Sequence, residues 1–162
     1  MKSWVFSDNV DTDVIAPGRY MKFGIDEIAR HCLEAVASDF PKNVRPGDFV
    51  VAGRNFGCGS SREQAPAALK HLGVAALVAE SFAGLFYRNA LNLGLPALVC
   101  SRAKRIRDGD RLSIDYATNE VFDLTSGERL PFKPIPAHLM EMVRDGGLLP
   151  HLEKRLKCRT TS

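Results

Sequence analysis

The sequence predicts an α/β protein, a single domain over residues 1–162 whose mostly parallel sheet carries antiparallel additions. Three observations lead there. Short apolar runs alternate with helix-spaced segments through the first two thirds of the chain, the pattern of successive strand–helix–strand units. Two of the runs, Phe49-Val50-Val51-Ala52 and Val74-Ala75-Ala76-Leu77-Val78-Ala79, are continuously apolar, as strands covered on both faces are. Beyond Arg107-Asp108-Gly109-Asp110 the apolar period switches to two, which marks an antiparallel pair.

Taken in order, Trp4-Val5-Phe6 is a short strand closed by Ser7-Asp8-Asn9, and Val10 to Arg19 is polar and loop-like, punctuated by Pro17-Gly18. Ile25, Ile28, Ala29, Cys32, Leu33 and Val36 recur at helical spacing, predicting a helix from Asp26 to Ala37 that Pro41 ends. Pro46-Gly47-Asp48 turns the chain into the strand at Phe49, and Gly53 to Ser61, rich in small residues, is a loop. Helices follow at Glu63–Leu72, closed by Gly73, and at Phe82–Leu93, closed by Gly94, with Pro96-Ala97-Leu98-Val99 as the next strand. Leu112–Tyr116 and Glu120–Leu124 form the hairpin around Ala117-Thr118-Asn119; helices at Ala137–Arg144 and Leu148–Leu156 are split by Gly146-Gly147.

Composition narrows the function classes. A net charge of +3 is too small to argue for nucleic acid, and the short basic runs at Lys104–Arg107 and Lys154–Arg159 read as solvated surface. No stretch approaches the ~20 apolar residues of a membrane span, and the start turns polar at Ser7, so a cytoplasmic protein is expected. Cys32, Cys58, Cys100 and Cys158 are far apart and form no C-x-x-C pair, which argues against a disulfide framework and against a cluster or zinc held by this chain. His31 beside the first helix's apolar stripe and His71 at the end of the second helix read as surface or satisfied histidines, not ligands, and Arg88 and Asn89 after an apolar helix face as structural or interface residues.

The informative segment is Gly53-Arg54-Asn55-Phe56-Gly57-Cys58-Gly59-Ser60-Ser61-Arg62-Glu63. A strand leads in and a helix leads out, so it lies at the carboxyl edge of the sheet, where α/β folds bind ligands. Glycines allow close backbone approach, a helix start faces anions, and two hydroxyls and a guanidinium add donors suited to carboxylate or phosphate. One reading is a capping box, with Ser60 as N-cap and Glu63 three residues on; Pro66 disfavours it, since a helix starting nearer Glu63 keeps the proline in its first turn. Another is a nucleotide-binding module, with Gly57-Cys58-Gly59 after a strand and Glu80 about twenty residues on as the ribose acid. Arg62 stands where that fingerprint needs its third glycine, which obstructs close helix–strand packing.

The third reading is a resemblance. Gly57-Cys58-Gly59-Ser60-Ser61-Arg62-Glu63-Gln64-Ala65 closely resembles the serine–arginine loop of the aconitase superfamily's swivelling domain, and Val10-Asp11-Thr12-Asp13-Val14-Ile15-Ala16-Pro17-Gly18 resembles that family's first loop. Glu80-Ser81-Phe82-Ala83, Phe86-Tyr87-Arg88-Asn89-Ala90 and Asn92-Leu93-Gly94-Leu95-Pro96 are similar to its next helix and strand, and the closing Gly146-Gly147-Leu148 also fits. The matches run in order over roughly residues 1 to 100. Length and the compact Tyr20-Met21-Lys22-Phe23 segment resemble the separate small subunits that serve isopropylmalate isomerase, homoaconitase and dialkylmalate dehydratases. The resemblance implies a swivelling β/β/α domain. It also implies a hydro-lyase active only with a large subunit that holds a 4Fe–4S cluster, this chain binding no cofactor or metal itself, and a hydroxy-dicarboxylate or hydroxy-tricarboxylate substrate.

It further implies roles. Ser60 carries over as the base, acting as an alkoxide; Arg62 as the group that grips a substrate carboxylate, with Ser61 donating beside it; Thr12 and Asp13 as first-loop residues, Asp13 orienting its neighbours. An Asx turn is the plainer role for Asp13. Tyr20, Met21, Lys22 and Phe23 match the segment that meets the variable side chain of the malate substrate. Met21 and Phe23 supply apolar surface suited to an isopropyl group, while Lys22 either binds an extra carboxylate or lays its stem along an apolar pocket. Isopropylmalate is the expected substrate, homocitrate-type acids and dimethylmalate the alternatives.

Overall fold

The computed structural model describes residues 1–160. β1 (Ser3–Val5), β2 (Phe49–Ala52), β3 (Ala76–Ala79) and β4 (Ala97–Val99) form a parallel sheet in that order. Register explains the continuous apolar runs. Trp4, Val50, Leu77 and Ala97 stand in one row and Val5, Val51, Val78 and Leu98 in the next. Because side chains alternate across a strand, the first row enters one core and the second row enters another.

The first core is covered by helices: α1 (Thr12–Ile15), α2 (Ile25–Arg30), α3 (Phe40–Asn43), α4 (Gln64–His71) and α5 (Gly84–Asn92) contribute Ile15, Ile28, Phe40, Leu69 and Phe86. The second core is covered by an antiparallel sheet of β5 (Leu112–Asp115), β6 (Glu120–Asp123) and β7 (Arg129–Pro131), through Leu112, Val121 and Leu130. The layers are therefore β/β/α, as the resemblance implied. α6 (Ala137–Arg144) packs Met142 and Val143 against Leu91 of α5, and α7 (Leu148–Thr160) follows. None of the described helices is long and apolar enough to cross a membrane.

β1 sits between the two sheets. On one side it pairs with β2; on the other the Ser3 amide donates to Asp110 O (2.8 Å) and Gly109 N donates to Ser3 O (2.8 Å). The buried Asp48 carboxylate fixes its start, accepting from the amides of Lys2 (2.9 Å) and Arg45 (3.0 Å) and from the Trp4 indole (3.2 Å).

Several elements depart from the sequence reading. The stripe predicted as a helix to Ala37 is buried at Ile28, Ala29, Cys32 and Leu33, but α2 ends at Arg30. Leu33 adopts φ 58° and its amide reaches Val14 O (3.2 Å), so a tertiary bond to the first loop replaces the helical one. Pro41 does not end a helix; it occupies the first turn of α3, where a missing N–H costs nothing. The supposed loop Val10–Arg19 contains α1, capped by Asp11 accepting from Asp13 N (2.6 Å), and runs into a 3-10 helix over Gly18–Phe23. β7 gave no periodic signal because only Leu130 of its three residues faces inward. α7 runs on past Leu156.

Candidate functional site

The site is built where the loops leaving β1, β2 and β3 meet. Phe56-Gly57-Cys58 runs between two neighbours: Gly57 N donates to Val10 O (2.8 Å) and Thr12 N to Cys58 O (2.8 Å), while Phe56 N donates to Ser81 O (3.0 Å) and Ala83 N to Phe56 O (2.9 Å). The parallel ladder thus resumes beyond the sheet edge and carries the Ser60 loop on its central strip. Two glycines permit this closeness. A Cβ on Gly57 (φ 78°) would lie 2.1 Å from Cγ of Phe86, and one on Gly59 (φ 93°) 2.4 Å from Asp11 Oδ2.

Ser60 is exposed at the end of this strip, next to a buried threonine. Thr12 Oγ1 lies 3.1 Å from the Ser60 carbonyl, to which it can donate, and 3.2 Å from Ser60 Oγ. The capping box does not form: α4 starts at Gln64, Glu63 occupies the cap position without a side-chain bond, and Pro66 falls in the first turn. Ser60 is thereby left to the loop. The hydroxyl's partner is another hydroxyl, so the described residues build no serine–imidazole couple of the acyl-transfer kind.

Arg62 points back across the loop. Its Nη1 donates to Asp13 Oδ1 and to Ala16 O (3.2 Å), and the same Asp13 oxygen accepts from Gly18 N (2.9 Å). The Arg62 hydrogen bond first, and then the Gly18 amide, hold the Asp13 carboxyl below the ordinary aspartate range. Asp13 is therefore a fixed carboxylate, suited to orienting a guanidinium and ill suited to taking protons; the Asx-turn role belongs to its neighbour Asp11. Ser61 is exposed between the two, its carbonyl accepting from Asn89 Nδ2 (3.4 Å). Neither Asp11 nor Asn89 stood out in the sequence as a site residue, since a cap and a long amide contact leave no spacing signature.

The chain continues from this network into Gly18–Phe23. Tyr20 and Met21 pack on the helix-side core, while Lys22 and Phe23 face outward, the Lys22 ammonium 4.9 Å from the Phe23 ring centre. The structure thus joins Thr12, Asp13, Ser60 and Arg62 in one hydrogen-bonded set with Ser61 beside it. Tyr20, Met21, Lys22 and Phe23 lie on the adjoining segment, and no described hydrogen bond ties Lys22 to the set.

The cysteines do not converge. Cys32 and Cys100 are buried, their thiols pushed up by desolvation, while Cys58 lies in the loop and Cys158 is exposed on α7. Among the described residues no group of three or more His, Cys, Asp or Glu side chains is placed to hold a metal. Glu80, the acid a dinucleotide reading requires, is instead ion-paired with Arg54 (3.4 Å) and Lys104 (3.4 Å).

Residues 26–103 match the family described as Aconitase C-terminal domain. The chain is 51% identical over 154 residues to the methanogen homoaconitase small subunit of Methanothermobacter thermautotrophicus, covering 94% of this chain and 89% of that protein. The chain belongs to the aconitase superfamily. Within that superfamily it is also 47% identical over 149 residues to the 3-isopropylmalate dehydratase small subunit 1 of Archaeoglobus fulgidus, covering 91% of this chain and 92% of that one. The crystal structure of the Methanocaldococcus jannaschii 3-isopropylmalate dehydratase, 40% identical, superposes with a TM-score of 0.94, covering 99% of this chain and 96% of that one. Membership in the aconitase superfamily sets aside the nucleotide-binding reading, in agreement with the ion pairs that occupy Glu80.

Proposed function

We propose that the chain is the small subunit of a hydro-lyase that interconverts 2-isopropylmalate and 3-isopropylmalate by dehydration and rehydration, a step of leucine biosynthesis. The observation that carries the reading is the joined set of Ser60 on Thr12 and Arg62 on Asp13 at the sheet's carboxyl edge. The relatives named as dehydratase small subunits support it.

In this reading Arg62 grips a substrate carboxylate, with the Ser61 hydroxyl donating beside it. Ser60 Oγ, as alkoxide, removes the proton from the carbon beside that carboxylate. A serine hydroxyl is a weak acid unaided, so the anion needs the N–H groups at the start of α4 and the positive charge of Arg62, the logic of an oxyanion hole. Thr12 holds the Ser60 loop, and Asp13 holds Arg62. The 4Fe–4S cluster, which we assign to a large subunit, supplies Lewis-acid assistance to the departing hydroxyl. We place the assembly in the cytoplasm, where exposed thiols stay reduced.

A second reading, the small subunit of a homoaconitase, is favoured by the methanogen relative and by the outward-facing Lys22, whose ammonium suits an extra carboxylate. One experiment separates them. The chain is co-expressed with a large iron–sulfur subunit and assayed on isopropylmalate, dimethylmalate and homocitrate-type acids, with wild type and Lys22→Leu. Turnover of isopropylmalate that survives Lys22→Leu is the expected outcome; preference for the tricarboxylate, abolished by Lys22→Leu, establishes the homoaconitase. Hydro-lyase activity and a stoichiometric cluster in the lone chain would overturn the two-subunit reading.

A further inference from the structure

Tyr20 begins the stretch assigned above to the substrate's variable side chain, and something outside that stretch holds it. Its ring stacks on the His31 imidazole, centroids 3.6 Å apart and planes 7° from parallel. The imidazole is gripped at both nitrogens: Nδ1 lies 2.7 Å from Glu34 Oε2 and Nε2 lies 3.2 Å from Glu27 Oε1. Ionised carboxylates only accept, and a neutral imidazole has a single N–H. Both contacts are hydrogen bonds only when the ring carries two protons.

The surroundings agree. The His31 contact first, and then Arg19, hold the Glu34 carboxyl below the ordinary glutamate range against the opposing effect of burial, so Glu34 is an ionised acceptor. Arg19 donates to Glu34 Oε1 (2.8 Å) and lies over the Tyr20 ring at 4.8 Å; Arg30 pairs with Glu27 (3.2 Å). On the neighbouring α4, His71 pairs with Asp26 (2.9 Å). A cation stacked on a phenol ring is attracted to its face.

We propose that His31 is a positioning residue for substrate selectivity, fixing the Gly18–Phe23 segment through Tyr20. The inference rests on the functional reading above. The ring stack and the carboxylates of Glu34 and Glu27 on its two nitrogens together hold the segment in place.

The test is kinetic. In the enzyme assembled with its large subunit, KM and kcat for isopropylmalate and for a shorter-chain alkylmalate are compared in wild type and two variants. His31→Phe keeps a flat ring for Tyr20 but no N–H, and Glu34→Gln keeps the histidine but weakens its acceptor. His31→Phe should be about tenfold less selective through KM with kcat little changed, the order expected for losing a charge-assisted contact, and Glu34→Gln should fall between. Wild-type selectivity in both variants overturns the inference while leaving the function intact. An assembled enzyme that turns over none of these acids overturns the functional reading itself, and this inference with it.

Discussion

In the proposed role the Ser60 hydroxyl, which lies 3.2 Å from Thr12 Oγ1, is the base, and this defines what its replacement should do. In the assembled enzyme Ser60→Ala should cut kcat on the order of 10²–10⁴-fold, the range for removing a general base, with assembly intact by gel filtration; near-normal rates would reduce the loop to scaffold. Arg62 differs in kind. Its Nη1 already serves Asp13 and Ala16, so Arg62→Lys should raise KM more than it lowers kcat, since an ammonium cannot span these partners and grip a carboxylate with two donors. Gly57→Ala should damage both subtler properties at once, because its Cβ meets the Phe86 ring at 2.1 Å from Cγ in a backbone conformation that disfavours side chains. Loss of activity with a lowered melting temperature is the expected pair of observations.

Among the elements, Asp48 carries the clearest pH prediction. Burial pushes its carboxyl up, but the amides of Lys2 and Arg45 and the Trp4 indole outweigh this and hold it below the ordinary range. A depressed folded value contributes stability above the unfolded value, about 3.9, and that contribution is lost as pH falls through the folded one. Asp48→Asn should therefore destabilise by about 1–3 kcal/mol near neutrality, read by denaturant melts, and the gap to wild type should narrow below about pH 4. The elements also show what sequence could carry. β2 and β3 were legible because both their faces are buried, leaving unbroken apolar runs. The start of α4 was legible because Pro66 tolerates few helical positions. α2 was overextended because Cys32 and Leu33 keep the apolar spacing after the helix has stopped, held by the Leu33–Val14 bond across the fold. Ser60, Arg62, Thr12 and Asp13 stood out through motif resemblance; that Asp13 grips Arg62, and that His31 carries Tyr20, are contacts between loops and helices that no local pattern encodes.

At the scale of the molecule, one sheet serves two cores. Leu77 faces the helices and Leu98 faces the second sheet, and both are fully buried. Leu77→Ala and Leu98→Ala should each cost about 2–5 kcal/mol. Because the strands are shared, both should move a single unfolding transition seen alike by far-ultraviolet dichroism and Trp4 fluorescence; two separate transitions would mean that the layers melt independently. The placement of β1 has a consequence for synthesis. Ser3 leaves the ribosome ahead of its partners at Phe49 and Asp110, which are made much later. The nascent chain must therefore carry its first strand without its native neighbours while most of the two sheets is being translated, and closing so long a loop is a slow event in folding. Completion of the molecule waits on a segment made well before its partners.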